Sequence, residues 1–556
     1  MCLSAIPPPG LILQTLVLRV KPVPTGFYRG VMNFWYWYLL SAAALSFSGY
    51  VILNLLLTAA LAGLVHFQAR FAASKSGAVT GLKAAALAAA ALALLWRESF
   101  LPSTSTIISF LANSSTRPSA RYILEFLWQS ANLPMIFAGI ALLALVFFVS
   151  RKKPMLLTMS VYSVLAAAWL MQPRQSTAGM GDFTPEAFYH AESGRRVAFS
   201  PPANKVAPFD ILIIHICSLS WKDLKDADFD IVPFFSKFDY VFTDFSAACT
   251  YSGPAAMRVL RAACGQVPQP QLLKPAPAGC YLMDDLRAGG FKTFTMFTHD
   301  GSYADFSNVV QKYGHADAPL GIDGLPVEYV MFNGKEMYAD NAALHKFWEA
   351  RSASPAPRAA LYYNTANLHI GTHKPGVSRG VDDAVDYKER MTALTAQLEE
   401  FFSEVERSGR NAVVLFVPEH GAGLTGTKMQ AKDVRDIPIP PIATVPVAVK
   451  LIGKSFYPGA GPQVITKPVS MLALAWLMAE FLRNNPYTKY ARKPETVAAE
   501  IPGTDFMAEN EYTAVKRVGL GYFYRLKEGK WAPLPVYADL PPGTIPAPGD
   551  FMRKVR

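Results

Sequence analysis

Acidic side chains are scarce in the first third of this 556-residue chain: residues 1–180 contain only Glu98 and Glu125, against thirteen Lys and Arg. Beyond residue 180 the two signs balance at 40 each, so the whole formal charge of +11 belongs to the N-terminal part. That excess borders apolar runs rather than a polar surface, which argues against nucleic acid as the partner and for a lipid bilayer. Charge of either sign is sparse overall, at 17% of residues, while hydrophobic residues reach 51% and concentrate before about residue 172. The length excludes a single ordinary core.

The first apolar stretch, residues 33–67, would be about 50 Å long as one helix at ~1.5 Å per residue, too long for a hydrocarbon core of ~30 Å. It reads as a hairpin broken near Ser48, Gly49 and Tyr50. Further spans are predicted at 82–96, 132–150 and 155–171, giving a five-helix transmembrane bundle over residues 1–172. Arg19, Lys21 and Arg29 precede the first span, Arg70, Lys75 and Lys83 flank the second and third, and Arg151, Lys152 and Lys153 separate the last two. The positive-inside rule makes these the cytoplasmic sides, so an odd number of spans exports everything that follows. A proline-rich start and four later spans argue against a cleaved signal peptide. Residues 34–38 (FWYWY) read as an interfacial aromatic belt. Residues 173–208 read as a linker near the membrane, and 209–556 as the exported catalytic domain.

In that domain, β-branched apolar runs at 210–216, 292–297, 359–364, 411–417 and 445–451 alternate with helical patterns at 253–264, 338–351, 383–407 and 469–483. This alternation predicts an α/β/α sandwich with a mainly parallel sheet, in which ligands bind beyond the carboxyl ends of the strands. Chemically capable residues gather at those ends: Cys217, His369, and the pair Glu419 and His420. Ser252 stands before a predicted helix, where a serine is ordinarily a plain cap, but where a nucleophile accepting a phosphoryl group would also sit.

Residues 421–426 spell GAGLTG, a GxGxxG. No suitably placed acid follows about 20 residues on, and the next residues lead to Pro438, Pro440 and Pro441, so a dinucleotide site is rejected. The five cysteines are too few to build a fold, but Cys264 and Cys280 bracket a proline-rich loop in an exported domain and are predicted to pair. Cys217 and Cys249 leave two readings open: a second bridge, or Cys217 as a thiolate ligand. With Glu419, His420 and the Ser252 oxygen, Cys217 would complete a four-coordinate set favouring Zn2+ over magnesium or manganese. His299 and His373 read as solvated loop residues, and Trp221 as core.

The motifs HICSLSW (215–221), TYSGPAAMRVLRAACGQ (250–266), YYNTANLH (362–369) and VPEHG (417–421) resemble, in order, the membrane-bound phosphoethanolamine transferases of the alkaline phosphatase superfamily. Within them the chain is most similar to the cellulose phosphoethanolamine transferases. The lipid A branch differs in usually having glutamate, threonine and Asp-His where this chain has Cys217, Ser252 and Glu419-His420. The resemblance implies an alkaline-phosphatase-like fold, Ser252 as nucleophile, and zinc bound by Cys217, Ser252, Glu419 and His420. It implies that Tyr251, His369 and Arg435 line the phosphate site, with His369 as the acid and base. It further implies phosphatidylethanolamine as donor, cellulose as acceptor, cellulose synthase subunits as partners, and a multi-pass inner-membrane protein with a periplasmic catalytic domain. Transfer to lipid A or another surface glycan, hydrolysis of the sulfatase or phosphatase type, and an inactive scaffold are the competing readings.

Overall fold

The computed structural model describes residues 25–534 apart from 72–76, 114–116, 119, 131, 172–183, 201–206, 378–382, 428, 460, 520 and 527–530. Cys2, Arg19, Lys21 and Lys75 lie outside the described residues, as do stretches of the predicted linker. The chain divides into two compact units, residues 1–101 with 131–172, and residues 102–130 with 173–556.

Among its described residues the first unit holds five helices, α1 (Thr25–Phe47), α2 (Leu55–Phe71), α3 (Gly77–Glu98), α4 (Leu133–Lys152) and α5 (Pro154–Met171). They coincide with the five apolar stretches, although α1 begins eight residues before its apolar run. The α1–α2 break falls where it was predicted, with Gly49 at φ +80°, a conformation glycine adopts without a Cβ clash. Met32, Trp35, Tyr36, Leu39, Ala42 and Ala43 form a buried stripe along α1 at helical spacing, and it packs in one cluster with Val161, Leu165 and Ala168 of α5. The Tyr36 hydroxyl meets Thr158 Oγ1 at 2.8 Å. Glu98 is buried and accepts the Asn54 backbone N–H (2.6 Å) and the Thr58 hydroxyl (3.3 Å), so this lone acid serves the amino end of α2, where helical N–H groups lack partners. By length and apolar composition, α4 and α5 are long enough to cross a membrane.

Two stretches differ from the sequence-based division. Residues 102–130, placed by the sequence within the transmembrane domain, group with the second unit and form helices Thr104–Ala112 and Ala120–Ser130. The predicted linker contains a helix, Pro185–Ser193, whose Thr184 cap accepts the Ala187 N–H at 3.0 Å and whose Phe188 joins a buried cluster with Met507 and Trp531.

A seven-stranded sheet organises the second unit: β1 (Phe209–Cys217), β2 (Tyr240–Ser246), β3 (Phe291–Phe297), β4 (Arg358–Thr365), β5 (Asn411–His420), β6 (Thr444–Ile452) and β7 (Gln463–Ile465). In space they run β3-β4-β1-β5-β6-β2-β7. β3, β4, β1 and β5 pair in parallel, whereas β6 is antiparallel to both β5 and β2. Every residue of β1 is buried, because both faces of the sheet are covered. Ile211 and Ile213 join one core with α6 (Ser252–Leu260), while Leu212, Ile214 and Ile216 join the other with α7 (Asp340–Ala353) and α8 (Asp383–Arg407). That alternation produces the three layers. At the amino end of β1, the buried Asp210 carboxylate takes Arg351 Nε and Nη2 (2.8 and 3.0 Å) and the Ala359 N–H (2.7 Å), tying the strand to α7 and β4.

Cys264 and Cys280 are disulfide-bonded, and Cys217 and Cys249 are free thiols, so no second bridge joins them. Residues 507–533 add a four-stranded sheet that the sequence reading did not anticipate.

Candidate active site

The central strands β4, β1 and β5 lie side by side in parallel, so their carboxyl ends deliver Asn364, Cys217, Glu419 and His420 to one place. In a regular strand, consecutive residues such as Glu419 and His420 point to opposite faces. Here the β1–β5 ladder slips after Ile216, pairing Ile216 with Pro418 but Cys217 with His420. The irregularity allows both side chains to reach Cys217. Cys217 Sγ is 4.0 Å from His420 Nε2, which is 3.6 Å from Glu419 Oε2.

Ser252 is the first residue of α6 rather than its cap; Tyr251 occupies the cap position and makes no side-chain capping bond. The Ser252 hydroxyl is therefore directed to Cys217 Sγ, at 3.4 Å. A tetrahedral ion with bonds of ~2.0–2.3 Å separates its ligands by roughly 3.3–3.8 Å, close to the 3.4, 3.6 and 4.0 Å between neighbouring atoms of this group. Glu419 Oε2 is buried with no hydrogen-bond partner, an orphaned oxygen that a cation would satisfy. Burial pushes the Cys217 thiol up to about 12, with the Glu419 charge adding to the effect, and raises the Glu419 carboxyl. Burial also pushes His420 well below its ordinary value, with Arg435 nearby acting in the same sense. A buried thiol and carboxyl facing one another are costly to ionise unless a cation shares the site. The donor set of sulfur, imidazole and carboxylate fits zinc.

Arg435 is buried beside this group. Its Nη1 donates to Ser218 Oγ (3.2 Å), its Nη2 to His369 Nε2 (3.2 Å), and its guanidinium lies 5.9 Å from the centre of the Tyr251 ring. The Arg435 carbonyl is held by the Thr250 hydroxyl and, at 2.9 Å, by Nδ2 of Asn510, which lies in the loop after strand Met507–Glu509. His369 Nδ1–H donates to the Ile370 carbonyl (2.6 Å), leaving Nε2 as the lone-pair nitrogen on the Arg435 side. Phe332 stacks on His369 with ring centres 5.2 Å apart, and Tyr303 and Tyr122 pack against Phe332 at 5.9 and 5.3 Å. The Tyr251 hydroxyl donates to Asp436 Oδ1. The structure thus gathers Cys217, Glu419, His420 and Ser252 in one group and places Tyr251 and His369 each against Arg435; the disulfide lies apart from both, beyond α6.

Several other residues take unexpected places. The glycine-rich stretch after His420 wraps around a carboxylate of the protein: Asp223 accepts the N–H groups of Ala422 (2.7 Å), Gly423 (3.1 Å) and Ser220 (2.9 Å). A Cβ on Gly421 would meet Ser220 Oγ at 2.7 Å, so glycine is required for that approach. His373 is half-buried and pairs with Val330 through its backbone, and Trp221 is core, edge-on to Phe235. His299, read from sequence as a solvated loop residue, is hydrogen-bonded to Asn364 and stacked on Phe297. No local signal marks either His299 or Asn364, because their partners are distant in sequence.

The family model for the cellulose biosynthesis protein BcsG C-terminal domain matches residues 168–531. The Escherichia coli (strain K12) cellulose biosynthesis protein BcsG is 38% identical over 351 residues, which span 63% of this chain and 62% of that protein. Its counterpart from Salmonella typhimurium is 31% identical over 493 residues, 80% of this chain and 86% of that one. Among solved structures, the chain is similar to the C-terminal periplasmic domain of EcEptC from Escherichia coli in complex with Zn (15% identity, 57% of this chain and 93% of that one, TM-score 0.40). It is also similar to a protein in the alkaline phosphatase superfamily from Vibrio parahaemolyticus (12%, 68% and 96%, TM-score 0.44). The matched region contains each of the residues gathered above, and the chain belongs to the family of the cellulose biosynthesis protein BcsG.

Proposed function

We infer that the protein transfers phosphoethanolamine from phosphatidylethanolamine to C6 hydroxyls of nascent cellulose, through a covalent phosphoethanolamine on Ser252. The observation that carries this reading is the convergence of Ser252 Oγ, Cys217 Sγ, Glu419 Oε2 and His420 Nε2 at ligand-to-ligand spacing. These four residues would hold the zinc ion, which when bound supplies Lewis acidity that lowers the pKa of the Ser252 hydroxyl.

Ser252 Oγ attacks phosphorus, the new Oγ–P bond forms, and the P–O bond to diacylglycerol breaks. The serine proton passes to His369 Nε2 and on to the departing diacylglycerol oxygen. In the second half the cellulose hydroxyl attacks the same phosphorus, its proton moves to His369 Nε2, and Ser252 leaves and regains a proton. Arg435 and the amino end of α6 balance the charge on the phosphoryl oxygens, and the Tyr251 ring bounds the pocket.

The five apolar helices and the basic residues between them support an inner-membrane protein with its N-terminus in the cytoplasm and the catalytic domain in the periplasm. Cellulose synthase subunits are its partners in this reading. The family name, cellulose biosynthesis protein, supports the acceptor and that association. The test is intact-mass analysis of the full chain after incubation with phosphatidylethanolamine. A phosphoethanolamine adduct is expected on the native protein and not on Ser252→Ala; transfer to cello-oligosaccharides by Ser252→Ala overturns the reading.

A further inference from the structure

A hydrogen-bond chain runs behind the candidate metal ligands, and its polarity is fixed from the far end. The Gly301 backbone N–H donates to His299 Nδ1 at 3.0 Å, which places the imidazole proton on Nε2. Gly301 itself sits at φ +69°, and a Cβ there would meet Ser307 Cβ at 2.7 Å, so the turn that aims this N–H depends on glycine. His299 Nε2–H then donates to Asn364 Oδ1 at 2.9 Å. With its oxygen so engaged, Asn364 turns its amide Nδ2 toward β5, where it donates to Glu419 Oε1 at 2.6 Å. A flipped amide would set oxygen against the carboxylate and N–H against N–H at its two ends.

The chain ends by distinguishing the two oxygens of one carboxylate. Oε1 is occupied by Asn364, while Oε2 has no hydrogen-bond partner and lies 3.6 Å from His420 Nε2. The His299 ring cannot turn freely: it stacks on Phe297 (5.1 Å between centres, planes 9° apart) and meets Phe306 edge-on at 5.5 Å. Asn364 is buried near the end of β4, with His215 Nδ1 3.4 Å from its amide nitrogen.

We propose that His299 and Asn364 are positioning residues that reserve Glu419 Oε2 for the metal, acting in series so that each works only through the next. Neither touches the metal or substrate. This rests on Cys217, Glu419 and His420 forming a metal site. Partners that orient a ligand in this way ordinarily change metal affinity by about 10–100-fold when removed.

The test is the zinc dissociation constant of the full chain in detergent, measured by chelator competition on metal-stripped protein, with the unfolding temperature of the metal-free form as a control for the fold. His299→Phe keeps the ring stack and deletes the N–H; Asn364→Leu deletes the donor to Glu419. Each is expected to weaken zinc binding by about ten-fold or more with little change in the metal-free unfolding temperature. In the double variant, His299→Phe is expected to add nothing to the effect of Asn364→Leu, the signature of a series arrangement. Unchanged zinc affinity in a folded His299→Phe protein overturns the proposal, as do additive effects. If Asn364→Leu does not fold, His299→Phe alone decides it. Cys217→Ala separates the two levels of the argument. Loss of zinc there with native affinity in His299→Phe refutes only the relay, whereas native affinity in Cys217→Ala refutes the metal site on which it rests.

Discussion

Replacing both Cys264 and Cys280 by serine is expected to destabilise the second unit by about 3 kcal/mol while leaving zinc binding intact. The bond closes a loop with a sequence separation of 16, and the chain-entropy model for a loop of that length gives about 3 kcal/mol at 25 °C. Most of this is expected in the unfolded ensemble, because the folded loop has independent ties. Arg261 Nη2 donates to the carbonyls of Lys274 and Tyr313, both at 2.8 Å, and Arg196 donates to the Ala278 carbonyl. The folded loop should therefore keep its course, and α6, which ends four residues before Cys264, should keep Ser252 in place. Urea unfolding in detergent, followed by tryptophan fluorescence, measures the first quantity, and chelator competition at 25 °C measures the second. An unchanged midpoint refutes the entropic reasoning. Loss of zinc from a protein that is still folded refutes the separation between loop and site.

Other outcomes follow from contacts already described. Asp223→Asn replaces one of two acceptor oxygens by a donor that faces backbone N–H groups, so it should cost about 2–4 kcal/mol and weaken zinc binding through His420, as denaturation and chelator competition would show. Arg435→Lys keeps a charge but loses the fork spanning Ser218 and His369; single-turnover phosphoryl transfer should fall by about 10²–10³ with zinc content unchanged. Burial raises the Asp340 carboxyl to about 6 from its ordinary 3.8, against hydrogen bonds from Tyr363 and Asn367. Between about pH 4 and 6 the folded state then keeps a proton that the unfolded state has lost, so stability falls by about 3 kcal/mol as pH rises through that window and levels off above it. Asp340→Asn should flatten that limb of a pH-dependent unfolding curve; a limb as steep as in the native protein would show that other groups cause it.

The five strands read from sequence are all present, because β-branched runs buried on two faces leave a signature that needs no partner to be seen. β2 and β7 escaped notice: β2 carries Thr243 and Asp244 inside its run, and β7 is three residues long, with β2 as its strand partner. The helix that Ser252 opens was legible to within a residue at its start, but it ends at Leu260 rather than 264, where Arg261 leaves helical geometry (φ −116°, ψ 20°) before the disulfide. Of the candidate site, the strand-end residues were legible because a parallel sheet gathers them by rule. His299 was not. Its loop position is solvated in most proteins, and only the pairing of β3 with β4 brings it to Asn364.

The placement of residues 102–130 with the second unit bears on how the protein is to be studied. That unit is discontinuous in sequence, and Tyr122, from the earlier segment, packs against the Phe332 ring that stacks on His369. A fragment starting at residue 173 would retain the sheet and every candidate ligand but lose one neighbour of the ring behind His369. Rates from such a fragment would describe a site with part of its supporting wall removed, and their difference from the full chain would measure what that wall contributes to turnover.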